Sequence, residues 1–188
     1  AERAADYLVN ERWTSLGLTI YTPPDAWLIQ ALEELDRVRP DEAREAYAFA
    51  IGEQIARHKQ MDPLKVPADM LGAGLSGPGS LPHAATAGSF GEALAAAARF
   101  EARRRPGETR FRTFALYNAE YNLRNQYWGP NEYALPNAAR AHGAFRVKPD
   151  HGEVRNDHVQ HSMSGLFGLL DLLDETAPDI AWVPGDRP

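Results

Sequence analysis

Apolar positions recur along this chain with the period of a helix in seven stretches, and no stretch alternates strictly as a half-buried strand would. The first runs from about Glu2 to Trp13, carried by Ala5, Leu8, Val9 and Arg12. Thr22-Pro23-Pro24-Asp25 breaks the pattern and opens a second helix, with Asp25 placed to accept hydrogen bonds from its first free amides. Leu28, Ala31, Leu32, Leu35 and Val38 form the stripe of that helix. Pro40-Asp41 ends it and starts a third, in which Ala43, Ala46, Tyr47, Ala50, Ile51 and Ile55 keep the period. So short a connection between two long helices makes a hairpin.

Periodicity stops between Gln60 and His83, where Pro63, Pro67, Gly72, Gly74, Gly77, Pro78, Gly79 and Pro82 mark a long loop. Such loops are usually functional rims, lids or linkers. Leu64, Val66, Met70 and Leu71 favour one that packs. Ser89-Phe90-Gly91-Glu92 reads as a capping box before an alanine-rich helix that ends near Arg105. A fifth helix, about Thr109 to Tyr127, has Phe111, Phe114, Ala115, Ala119 and Leu123 among its apolar positions. Tyr117, Tyr121, Arg124 and Trp128 follow one of its sides, and Asn118, Asn122 and Asn125 another. Asn137 caps a short sixth helix that ends at Gly143, and Phe145 to Arg155 reads as a turn. Asn156 caps the seventh, which runs to about Glu175 on the stripe Val159, Met163, Leu166, Phe167, Leu170 and Leu173. No strand is predicted.

The 188 residues, 44% of them hydrophobic and 24% charged, suffice for one core. They divide into a helical domain over 1–176 and an extended tail over 177–188. The chain has no cysteine, which excludes disulfides, thiolate nucleophiles and cysteine-ligated zinc or iron–sulfur sites. A net charge of −6 argues against a general nucleic-acid binder, and no apolar run approaches the roughly 20 residues that span a bilayer. Compartment stays open. Saccharides and other small molecules remain as ligands, and the sequence calls for no cofactor.

The hairpins share residues with a known superfamily. Ala85-Thr86-Ala87-Gly88-Ser89-Phe90-Gly91-Glu92-Ala93-Leu94 opens one helix. Gly143-Ala144-Phe145-Arg146 and Val154-Arg155-Asn156-Asp157-His158-Val159-Gln160-His161 precede and open another. On these segments the chain resembles the α/α-toroid superfamily, on its carbohydrate-processing side of six-hairpin glycosidases, lyases and epimerase-like enzymes. The resemblance implies an all-α fold of antiparallel helical hairpins in a partial ring, with a pocket at the ends of the inner helices. It also implies that the chain, which lacks an initiator Met, is a C-terminal portion with further hairpins N-terminal to residue 1.

Two constellations carry candidate chemistry. Asp157, His161, Ser164 and Gly168 share one helix face, so Asp157 could orient His161 or accept sugar hydroxyls, and His161 could transfer protons. His158 beside His161 invites a metal pair, but spacing supplies no carboxylate ligand, and no metal is expected. At the fifth helix and its exit, Tyr121, Arg124, Trp128 and Tyr133 offer aromatic faces and polar groups suited to sugar rings. Glycoside hydrolysis needs two flanking carboxylates, for which Asp25, Glu132 and Asp157 are the candidates. If the chemistry were proton abstraction, the resemblance would favour His161, His158 and Tyr121 as acid and base. Each residue also has a plain structural reading, as a cap or as core. Arg103, Arg104, Arg105, Arg110 and Arg112 read as cations complementing a helix C-terminus before they read as an anion site. The rival overall reading is a non-catalytic helical-repeat module that binds proteins.

Overall fold

The computed structural model describes residues 1–12, 25–58, 62–74, 82–133 and 135–176, so the expectations for Thr22 to Pro24 and for the tail 177–188 lie outside it. The described helices are α1 (Glu2–Asn10), α2 (Ala26–Val38), α3 (Glu42–His58), α4 (Ala84–Arg104), α5 (Arg110–Arg124), α6 (Ala138–Ala141) and α7 (Asn156–Thr176). Side chains start three of them as the sequence implies. Asp25 accepts from the Leu28 amide at 3.1 Å, Asp41 from Arg44 at 2.9 Å and Asn137 from Arg140 at 3.2 Å.

Two local expectations fail. α4 begins at Ala84, so Ser89 lies inside the helix with its hydroxyl donating to the Thr86 carbonyl, and no capping box forms. Alanines at 84 and 85 let the helix grow backward past the apparent signal. A small antiparallel hairpin also forms, β1 (Arg146–Lys148) with β2 (His151–Val154), where a turn alone was expected. Phe145 and Val147 are its buried positions, and two residues are too few for an alternation to register in the sequence.

Helix α4 is buried nearly all round and is the centre of the molecule. Contacts fix the directions of its neighbours. Gln30, Glu33 and Asp36 of α2 meet Glu92, Arg99 and Arg103 in that order, so α2 runs parallel to α4. α7 is parallel too, with His161 and Ser162 against Gly88 and Gly168 against Ala95 and Arg99. α3 runs antiparallel, as Glu45 meets Arg104 and Phe49 meets Phe100. So does α5, whose Phe111 amide is capped by Glu101 at 3.0 Å while Asn118 reaches the Ala87 carbonyl at 3.0 Å. Three parallel helices thus alternate with antiparallel ones.

Charge closes the C-terminal end of this array. Glu33 is fully buried, yet it accepts from Arg37 at 3.1 Å, from Arg99 at 3.4 Å and from Arg103. Burial pushes its carboxyl up, and the three guanidinium groups outweigh that and hold it below the ordinary value. Arg104 and Arg105 share Glu45, and Arg110 pairs with Glu53. These arginines therefore face carboxylates, which leaves little for the anion-site reading.

The face that α7 turns to the core is only in part its apolar stripe, of which Leu166 and Leu173 pack against the core. His158, Ser162, Gly165, Leu169 and Leu172 are buried, whereas Phe167 is 54% and Leu170 51% exposed. Glycines explain the rotation. A Cβ on Gly88 would lie 2.6 Å from the backbone of His161 and Ser162, and one on Gly165 only 3.1 Å from the Glu92 amide. The helices approach backbone to backbone, and large side chains are excluded from the seam. Gly88→Ala should therefore destabilise the fold by about 1–3 kcal/mol or more. Gly129→Ala, where a Cβ meets nothing within 4 Å, should leave denaturant midpoints nearly unchanged. Equal midpoints for the two variants would refute this account of the seam.

Candidate functional site

One cleft, of about 480 Å³, runs along the face shared by the three parallel helices. Gln30 comes from α2, Glu92 and Arg99 from α4, and Gln160, Met163, Ser164, Phe167, Gly168 and Asp171 from α7. The backbone approach at Gly88 and Gly165 sets Glu92 beside the first turns of α7. There Glu92 Oε1 lies 3.2 Å from His161 Nδ1, and Glu92 Oε2 accepts from Gln30 Nε2 at 3.4 Å. Trp27, 64% exposed at the start of α2, stacks over His161 with ring centroids 6.2 Å apart at 28°. A buried carboxylate thus faces one ring nitrogen of a partly exposed histidine that has an indole beside it. A Glu92 carboxylate at Nδ1 favours the neutral tautomer that carries its proton there and its lone pair on Nε2. Arg99 is already engaged, donating to the Gly168 carbonyl at 3.0 Å and to Glu33.

Of the residues nominated from sequence, Ser164 and Gly168 line the cleft, and His161 adjoins it through Glu92, which is its partner instead of Asp157. Asp157 pairs with Arg155, Nε to Oδ1 at 3.2 Å and Nη2 to Oδ2 at 3.1 Å. Asp25 caps α2 and accepts from Arg12 at 2.5 Å, so both its oxygens are occupied. Glu132 is buried against His142 Nδ1 at 2.6 Å, a pairing that spacing did not reveal.

The fifth-helix constellation does not gather into one cleft. Tyr121 is 1% exposed and sits with Ala73 and Ala87, and desolvation pushes its hydroxyl up to about 12. Arg124 ties the loop down by donating to the Ala68 carbonyl at 2.6 Å and pairs with Glu120 at 3.2 Å. Trp128 and Tyr133 lie exposed on the turn that follows. Asn118, Asn122 and Asn125 are buried structural links. Asn118 donates to the carbonyls of Gly72 and Ala87, Asn122 to Asn118, and Asn125 to Tyr121, while Arg146 donates to Asn125. Their amides stitch the 62–74 loop and β1 to α5. That loop does pack, with Leu71 buried and Leu64 exposed, and Gly72 has φ +84° with no room for a Cβ beside the Tyr117 carbonyl.

Sequence reading missed Glu92, Gln30 and Trp27 as site residues. The capping pattern absorbed Glu92. Trp27 and Gln30 lie three apart on α2 and off its apolar stripe, which is the available signal.

His158 is fully buried one turn before His161, and among the described residues neither of its ring nitrogens has a hydrogen-bond partner. The His83 ring meets it edge-on at 4.3 Å. Among the described residues no three His, Asp or Glu side chains are placed to hold a metal ion. Burial lowers the pKa of His158, aided by the charges of His83 and Arg155 and opposed by Asp157 and Glu153. Burial likewise lowers that of His83, with Arg155 and Lys148 adding and Asp157 opposing. The unfolded chain therefore binds these protons more tightly than the native one. Stability should be fully present above the ordinary value of 6.5 and lost as pH falls from there through the lowered native values. Urea midpoints measured down through this window should fall less steeply for His158→Phe than for the wild type. Superimposable slopes would show that the pair is not the source.

No protein-family model, curated protein or solved structure matches this chain, which leaves the cleft's own chemistry as the guide to what it binds.

Proposed function

We propose that the chain is an arc of an α/α-toroid whose cleft binds a saccharide and performs acid–base chemistry on it through His161. The single observation that carries this is the Glu92–His161 pair, whose carboxylate lines the cleft and whose imidazole has the Trp27 ring beside it, centroids 6.2 Å apart. The alternation of parallel α2, α4 and α7 with antiparallel α3 and α5 is the arrangement that inner and outer helices of a ring would have. An exposed indole supplies a face for the apolar side of a sugar ring, and Gln30, Gln160, Ser164 and Asp171 supply partners for its hydroxyls. His161 Nε2 takes a proton from the substrate, and the Glu92 carboxylate stabilises the imidazolium that results. Proton transfer of the lyase or epimerase kind fits this pair better than hydrolysis between two carboxylates, since Asp25, Glu132 and Asp157 each have another partner.

A second reading, the protein-binding module, draws on the exposed Phe167 and Leu170 of α7. The two separate by experiment. In calorimetric titrations against neutral, amino and acidic oligosaccharides, at least one class should bind, and Trp27→Ala should weaken it about three- to tenfold. Turnover of that class should fall by about 10²–10⁴ in His161→Gln. Absence of binding across all three classes, or full turnover in His161→Gln, would remove the enzymatic reading.

A further inference from the structure

Glu92 has two carboxylate oxygens and a buried position, and each oxygen has one partner on a different helix. Oε1 faces His161 of α7, and Oε2 accepts from the Gln30 amide of α2. We infer that Gln30 is a positioning residue, which by holding Oε2 fixes Glu92 so that His161 keeps its proton on Nδ1 and its lone pair on Nε2. The inference rests on the reading of His161 as the proton-transfer group and adds to it the element that orients the pair.

The physical reason is that a buried carboxylate oxygen without a donor is costly, so a Glu92 deprived of Gln30 would turn to recover a bond. A carboxylate free to turn about its last torsion, a broad and roughly two-fold rotor, no longer presents one oxygen to Nδ1 in a fixed plane. The imidazole then loses the hydrogen bond that chooses its tautomer. Gln30 suits the task because its side chain spans from α2 to α4 and its amide is a donor without a charge, so it orients Glu92 without competing with the imidazolium for it. Helix direction supports the same conclusion. Because α2, α4 and α7 run parallel, Gln30, Glu92 and His161 fall at one level, and the relay crosses three helices without a gap. Gln30 also lines the cleft, so a bound hydroxyl that takes its second N–H or its carbonyl would reinforce the orientation.

The test is the tautomeric state of His161, read from long-range nitrogen–proton correlations of its ring in the full chain at about pH 8, where an ordinary imidazole is neutral. The wild type should show a single Nδ1–H form. Gln30→Met, of similar length but without the donor, and Gln30→Asn, with the amide one methylene too short, should both lose the single-form pattern and show a mixture. Backbone amide spectra should remain those of the folded wild type. Glu92→Gln should also lose the single form. A single Nδ1–H form retained in folded Gln30→Met or Gln30→Asn overturns the role of Gln30 and leaves the role of Glu92 standing. Its retention in Glu92→Gln, or its absence from the wild type, overturns the orientation of His161 and the proposed chemistry with it.

Discussion

The structure depends on how closely α4 and α7 approach. Gly88 leaves no space for a Cβ at that seam, Gly165 admits one only if the facing backbone of Gly88 to Glu92 yields, and Gly91 faces the amide of Asn118. Gly168 admits one only if Ala95 or Arg99 yields. At these glycines the two 21-residue helices lie backbone against backbone, and residues adjoining the glycines come within bonding reach. Glu92 follows Gly91, and His161 lies opposite Gly88. The Glu92–His161 contact is therefore a by-product of the packing rule that builds the core, and a wider seam would cost both together.

Parallel helices raise an electrostatic problem that the charged residues answer. Three aligned dipoles place partial positive charge at one end of α2, α4 and α7 and partial negative charge at the other. Asp25 and Asp157 stand in or beside the first turns of α2 and α7. Arg37, Arg103 and Arg104 occupy the last turns of α2 and α4. Those arginines would repel one another, and the buried Glu33 and Asp36 hold them in place. Breaking that group by removing Glu33 would leave three guanidinium groups without their shared partner, so it constrains α2 against α4 from the end opposite the first turns.

Much of the fold is legible in the sequence because it is local. Helix bounds follow apolar period and breakers, and the caps Asp25, Asp41 and Asn137 act where their positions imply. What is not legible comes from contacts between distant segments. The apolar stripe of α7 names Phe167 and Leu170 as core, yet the close approach at Gly88 and Gly165 turns those two outward while Leu169 and Leu172 face inward. Burial of Asn118, Asn122 and Asn125 is equally hidden, since amides at helical spacing look solvated until the carbonyls of Gly72 and Ala87 are placed opposite them. At the site, His161 could be read from its type and position, but its partner could not. Asp157 is nearer in sequence, and Glu92, 69 residues away, is nearer in space.

Exposure, more than residue type, separates the nominated groups that can meet a ligand from those that cannot. Tyr121 and His158 carry suitable chemistry, but both are sealed in the interior, where desolvation disfavours the charged forms that proton transfer requires. Trp128 and Tyr133 have the opposite defect, lying open on a turn with no carboxylate or imidazole shown to converge on them. His161 stands between these extremes. Its ring is partly exposed, its Nδ1 faces a buried carboxylate that lines the cleft, and an indole stands beside it, so it is neither sealed in nor left without a partner. That combination requires one group from each of α2, α4 and α7, which is why no single helix of the sequence displays it.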